Sequence, residues 1–485
     1  MEHPILHPHL HNYTMKKGAI LLTSLLIAFV TGCQDHNLEP HPDEDVMAWR
    51  AGGTEEDLGH SIAVDMSGNT YVTGFFHGTA TFGNSTLTST GNRDIFIVKY
   101  DRKGEVLWAH KAGGNGRDEG RDIAVDRNGN VYITGYFENI ITFGSTSLAS
   151  NGNDDMFLVK YSSNGDVLWA QKTGGTELDQ GFGVAVDMNG FVYVTGYFSS
   201  TASFGSNSLV SSGDFDIFIA KYNSNGDVQW AQKAGGVSAD QGSAITVDES
   251  GTIYVTGTFS VTATFGTVTH SSITSSVSSD VFVARYSSSG EALWVRSAGS
   301  YRSDFTHSIA VDKAGNIYIV GSFRDSFFIG SIRLQAGIAT SDAFLAKFNN
   351  SGEVQWAQNI GGGYENQLDD GGHDIAVNET GDIYVTGYIR GTPVYFGAVP
   401  PNLSDPQITL SSKGSDDVFI ARYGSDGKVH WARNEGGTDT EAGQSIAVDQ
   451  SGNVYITGSF NGTTILGATT LTSGGGSDIF VAKFK

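Results

Sequence analysis

Seven tryptophans, Trp49, Trp108, Trp169, Trp230, Trp294, Trp356 and Trp431, stand at one place in a phrase that returns throughout the chain. Around Trp169 the phrase reads GDVLWAQKTGG, then a polar stretch, then VAVDMNGFVYVTGYF, a loop and DIFIAKY. A unit of about 60 residues repeated seven times decides the architecture before any single residue does, because each copy must bury its apolar face against its neighbours. Length alone would suggest several domains at roughly 150 residues each, but a ring of like units is one domain.

Each repeat holds four short strand candidates separated by turn signals. The first is the I-A-V-D element, as at Ile62 to Asp65 and Ile123 to Asp126; the second is V-Y-V-T-G-Y-F, as at Val131 to Phe137. The third is D-I-F-I-A-K-Y, as at Asp216 to Tyr222, and the fourth carries the tryptophan. Between first and second lies D-x-x-G-N, as in Asp126 to Asn130, which suits a tight type I turn. Four antiparallel strands per repeat, seven times over, predict an all-β, seven-bladed propeller. The middle residue of the first strand is small in every copy (Ala63, Ala124, Ala185, Thr246, Ala310, Ala376, Ala447), so this strand belongs innermost, where blades crowd the axis. The tryptophan strand then lies outermost, where large side chains fill the widening gap. The chain opens with a tryptophan strand, Val46 to Gly53, and closes on a third strand, Asp478 to Phe484. Pairing the two completes the last blade and leaves no open edge.

The phrases IAVD-x-x-GNVYVTGYF, TATFG (Thr79 to Gly83 in its first form) and DIFVAKY followed by G-x-V-x-W resemble the bacterial SBBP repeats, which are named for a seven-bladed β-propeller. The resemblance covers about residues 46 to 485. It implies the fold and brings no catalytic residues with it, since propellers host enzymes, binders and scaffolds alike.

The chain carries 29 basic against 52 acidic residues, a net charge of −23. Such a surface repels a phosphate backbone, so nucleic acid is not an expected partner. Cys33 is the only cysteine, which rules out an intramolecular disulfide or a cysteine metal cluster. It follows Met15-Lys16-Lys17, an apolar run from Ala19 to Val30, and Val30-Thr31-Gly32. The run has the length of a signal core and is too short to span a bilayer. The end of the run resembles the bacterial lipobox, which implies cleavage before Cys33 and lipid on its thiol. Residues 1–32 are therefore expected to be a signal peptide, with 1–14 an extension upstream of a start at Met15. Residues 33–45 read as a lipidated tether, and 46–485 as the propeller. Acyl chains contribute about 0.8 kcal/mol per buried methylene, so two or more hold a protein on a membrane. The expected location is the cell envelope, on the outer membrane, facing either the periplasm or the exterior.

Two rings of acids run through the repeats. Asp57, Asp118, Asp179, Asp240, Asp304, Asp370 and Glu441 stand eight residues before the IAVD aspartate or its equivalent. Asp94, Asp155, Asp216, Asp280, Asp342, Asp417 and Asp478 open the third strand. Both rings are expected on one face, either as a Ca²⁺ site, since that ion takes carboxylate oxygens, or as structural acceptors for loop N–H groups. Presence in every blade favours the structural role. No other cofactor is expected, and no metal site is assigned.

The rhythm stretches in the sixth blade, on the same face. The insertions there supply candidate recognition residues: Tyr364, Glu365, Asn366, Tyr395, Asn402, Asp405 and Gln407. His60, His307 and His373 share one repeat position, with only the last two in adjacent blades. No G-x-S-x-G, H-E-x-x-H or P-loop is present. The sequence therefore reads as a monomeric, lipid-anchored, non-enzymatic module that binds protein or glycan. The alternative is an envelope enzyme on a propeller scaffold, quinoprotein-like or polysaccharide-active. A cluster of non-repeated polar groups at the mouth of the axial channel would separate the two.

Overall fold

The computed structural model describes residues 46–273, 278–337, 340–362, 368–397 and 408–485. Cys33, the signal and the tether lie outside them, as do Tyr364, Glu365, Asn366, Asn402, Asp405 and Gln407. Among the described residues every regular element is a strand.

The third blade shows the plan. Asp179–Val186, Val192–Phe198, Asp216–Tyr222 and Val228–Gly235 form one antiparallel ladder from axis to rim. The inner strands, Asp57–Val64, Asp118–Val125, Asp179–Val186, Gln241–Val247, Phe305–Val311, Gly371–Val377 and Glu441–Val448, touch in order, and the last touches the first. The ring is therefore closed. Its closure is the one expected: Met47–Ala51 pairs with Asp478–Phe484, with Trp49 opposite Val481.

The core is divided among the seven blade junctions. At the first, Ile95 and Ile97 of one blade pack with Ile123, Ile133 and Phe137 of the next. The second strands lie in the middle of this packing, and Thr70–Phe76 is buried along its whole length. A strand covered on both faces needs a continuous apolar run, which is why V-Y-V-T-G-Y-F does not alternate.

The lower turns explain the D-x-x-G-N-x-Y spacing. Asp65 Oδ1 accepts the N–H groups of Ser67 and Asn69 at 2.8 and 2.9 Å. Its Oδ2 accepts from Asn69 Nδ2 at 2.8 Å and from the Tyr71 hydroxyl at 3.0 Å. One carboxylate thus fixes the turn and anchors the buried tyrosine of the second strand.

The tryptophans bridge blades. Trp169 Nε1 donates to the Ser224 carbonyl in the next blade at 3.0 Å, and Trp108, Trp230, Trp294 and Trp356 repeat the bond to Ser163, Ser288, Asn350 and Ser425. Each indole lies on the glycine of that turn. At Gly165, where φ is +91°, an added Cβ would sit 3.1 Å from Trp108 Cδ2.

One element differs from the sequence expectation. The segment between second and third strands is not a plain loop but a hairpin, Thr201–Phe204 with Asn207–Val210 in the third blade. It reaches back to the preceding blade. In the fourth, Phe265 and Thr264 pair with Ala234 and Gly235 at the upper end of the third blade's outer strand, extending that sheet to six strands. The inward residues of the hairpin, such as Ala202 and Phe204, are fully buried. Each of the first six blades is therefore latched to its predecessor near both ends of the outer strand: the hairpin above, the tryptophan turn below.

Candidate functional site

The upper face carries the starts of inner and third strands, so both acid rings lie there, but beneath the surface. All fourteen carboxylates are buried, two at each blade junction. Asp240 shows the arrangement: its Oδ2 accepts the Gly236 N–H at 2.6 Å and its Oδ1 the Ser260 N–H at 2.9 Å. Asp57, Asp118, Asp179, Asp370 and Glu441 take equivalent loop N–H groups. Burial, reinforced by the neighbouring third-strand acid, pushes Asp57, Asp179 and Asp240 up to about 7 and Asp118 and Asp304 up to about 8. Glu441 rises to about 7 for the same reasons. The third-strand acids meet a cation in some blades: Lys111 with Asp94 and Lys172 with Asp155 at 3.2 Å, Lys233 with Asp216 at 3.3 Å, and Arg50 with Asp478. Each acid thus ties a loop to a blade. Among the described residues no group of three or more His, Cys, Asp or Glu side chains is placed to hold a metal ion.

The sevenfold pattern breaks elsewhere. Every inner strand carries a bulge near its upper end, where one residue has no partner on the second strand. That residue is His60, Arg121, Phe182, Ser243, His307, His373 or Gln444 in turn. The backbone repeats while the side chain does not. The three histidines noted in the sequence occupy this position; His307 and His373 meet edge to face at 5.7 Å between centroids, and His60 stands apart from them. His373 Nδ1 lies 2.9 Å from the Gly443 carbonyl, and its ring is 5.4 Å from that of Tyr388.

Blades one to three build the richest part of this mouth. Glu119 sits at its centre, almost fully buried. Arg93 Nη1 reaches it at 3.0 Å, Arg121 Nη2 at 3.1 Å, and His60 Nε2 lies 3.5 Å away. Burial opposes its charge, but His60 and the Arg121 guanidinium hold its carboxyl well below the usual range. Burial and Arg121 lower His60 to about 4, so the imidazole is neutral near pH 7. Arg117 and Arg121 both lie 5.3 Å from the Tyr136 ring centroid. Arg117 Nη2 also pairs with Asp154 at 3.0 Å, and Gln180 Nε2 donates to the same carboxylate at 2.6 Å.

Just below, a second irregular ring narrows the axis. Asp122 Oδ1 accepts from Ser61 at 2.7 Å and its Oδ2 from the Val184 N–H at 2.8 Å. Asp374 Oδ2 accepts from Ser445 at 2.6 Å and from the Ile446 N–H at 2.8 Å. Burial raises Asp122 to about 7, and the Asp374 charge adds to the rise. These bonds join one inner strand to the next and fix the constriction.

Of the sixth-blade candidates only Tyr395 is described; it lies on the hairpin strand Val394–Gly397, opposite Thr409. The mouth residues Glu119, Arg121, Tyr136, Phe182 and Tyr388 escaped the sequence reading. Their signal was present in the variation at three repeat positions from blade to blade, not in any motif.

Comparison with known proteins agrees with this architecture. The family model of the SBBP β-propeller repeat matches residues 107–136, 168–197, 229–258, 293–322 and 435–465. An uncharacterized WD repeat-containing protein of Acanthamoeba polyphaga mimivirus is 24% identical over 540 aligned positions, covering 90% of this chain. The regulatory protein FlaEY of Caulobacter vibrioides is 24% identical over 386, covering 75% of this chain. The chain spans 38% of the length of each. With five repeat matches set on a closed ring of seven blades, the chain is a seven-bladed β-propeller that carries SBBP β-propeller repeats.

Proposed function

We propose that the protein is a recognition module that captures a protein or glycan ligand at the upper mouth of its axial channel, and that lipid on Cys33 holds it at the cell envelope. The observation that carries the reading is where the symmetry fails. Seven near-identical junctions supply a rigid frame, and the departures gather at the bulged inner-strand position and its neighbours. Side chains presented by a rigid frame lose little freedom on binding. The arrangement supports binding ahead of catalysis. Glu119 is enclosed by two guanidiniums that favour its ionised form, His60 beside it is neutral, and burial holds the neighbouring Tyr136 hydroxyl in its protonated form, so these groups are set to present a fixed charge and donors to a ligand. The names of the two relatives, a WD repeat-containing protein and a regulatory protein, fit a binding role in general terms.

Capture from envelope extracts tests the reading. The full chain should retain a partner that is lost with Arg121→Ala plus Tyr388→Ala. Equal capture by the variant refutes the mouth as the site. Acyl labelling of cells tests the anchor: Cys33→Ser should abolish lipid incorporation and release the protein. Unchanged membrane retention of that variant would refute lipidation.

A further inference from the structure

The third blade differs from the other six in carrying an aromatic side chain at each of three successive upper positions. Phe182 occupies the bulge, Tyr197 the upper second strand, and Phe215 the residue before the third strand. At the last two positions the other blades have Phe75, Tyr136 or Tyr388 together with Arg93, Asp154 or Asp416, or else small polar residues. The three rings are half-buried and each contacts the next, with centroids 5.6 and 4.7 Å apart and planes tilted by 35° and 49°. They lead from the channel outward to a shallow groove lined by Ser199, Ser211 and Asp214. Polar groups flank the row on its second-blade side. The Arg121 guanidinium lies 5.5 Å from the Phe182 centroid, and Arg117, Asp154 and Gln180 form the linked cluster described above.

We infer that this strip binds a neutral oligosaccharide, with sugar faces stacked on Phe182, Tyr197 and Phe215 and hydroxyls held by Arg117, which the buried Asp154 and Gln180 orient. The inference rests on the recognition reading above and names its ligand class. A row of half-exposed rings offers flat apolar faces, which suit the C–H faces of successive sugars. The half-exposed Arg117 guanidinium keeps N–H donors beyond its pair with Asp154, and a sugar hydroxyl accepts from them. An anionic ligand fits less well: Arg117 is already paired with Asp154, and the chain bears a net charge of −23. That charge also disfavours nucleic-acid bases, which could otherwise stack on the rings.

The test is titration calorimetry of the full chain in detergent with cellohexaose, mannohexaose, xylohexaose and chitohexaose, and a galacturonate hexamer as the anionic comparator. At least one neutral hexasaccharide should bind saturably. Phe182→Ala with Tyr197→Ala should weaken that binding about tenfold or more, at unchanged melting temperature. Phe215→Ala, at the rim, serves if the double variant folds poorly, and Phe328→Ala, exposed on the hairpin strand Ser326–Ile329 of the fifth blade, should leave the affinity unchanged. Absence of any neutral binding, preference for the galacturonate, or affinity that survives the aromatic substitutions overturns the inference. If these arms fail while envelope capture still depends on Arg121 and Tyr388, the recognition reading stands and only the sugar assignment falls.

Discussion

Asp304 provides the sharpest test of how the blades are joined. It is fully buried against Asp280, and burial followed by that neighbour pushes it to about 8. At this junction the outer-strand position that holds lysine in three blades is Ser297, so no cation neutralises the pair. Asp304 Oδ1 accepts from the Arg324 N–H and from Ser300, both at 3.1 Å. Asp304 Oδ2 and Asp280 Oδ1 have no hydrogen-bond partner among the described residues. A proton on Asp304 resolves this, because the neutral acid donates where the ionised one repels. A folded-state value above the unfolded one means that folding takes up a proton between the ordinary carboxylate range and about 8. Stability is then full at low pH and lost as pH rises through that window. The slope is about 1.4 kcal/mol per pH unit for each proton taken up, which sets a ceiling of about 4 kcal/mol between pH 5 and pH 8. Asp304→Asn mimics the protonated acid. It should cost little at pH 5, and its stability should fall less steeply than that of the parent by up to one proton. Asp304→Ala strands the Arg324 N–H and Ser300 and should cost about 2–4 kcal/mol at pH 5, less at higher pH because it too lacks the titrating proton. Urea unfolding at pH 5, 6.5 and 8 reads both effects. If the asparagine variant shows the parent's slope and the alanine variant's loss, Asp304 is ionised in the native state and the reasoning fails.

Removal of residues 46–53 should deprive the last blade of its outer strand and uncover Val481 and Ile479, lowering the melting temperature by about 10 °C or more; unchanged calorimetric melting would refute the closure. Gly165→Val should destabilise by about 2–4 kcal/mol, since the positive φ strains any side chain and an added Cβ would sit 2.5 Å from His110 Nε2 and 3.1 Å from the Trp108 indole; a loss under about 0.5 kcal/mol in chemical denaturation would show that both rings move aside. Millimolar Ca²⁺ should leave the melting temperature unchanged, because the acid rings are buried and bonded to loop N–H groups; a rise that saturates with concentration would instead reveal a bound ion.

The ring was legible in the sequence because it is built from what repeats. Trp49, the small residue at Ala63 and its equivalents, and the position of Asp478 together specified blade order and closure. The hairpins were missed because four-residue strands such as Thr79–Phe82 look like loop, although the alternation that buries Ala80 and Phe82 is a strand signal. The mouth was hidden for the opposite reason. Its chemistry lies where Arg121, Phe182 and His373 differ at one bulged position, and a reading tuned to recurrence passes over difference.

The closing strand has one further consequence. Met47 stands opposite Lys483 at the lower end of the seventh blade. In the first six blades the same place is bridged by a tight turn, such as the one from Asp101 to Glu105. A turn of that kind between Lys485 and Val46 would make the rim continuous, and the polypeptide could then be opened at another lower turn without changing a single blade contact. The order in which the blades are encoded is therefore a convention of where the message is cut.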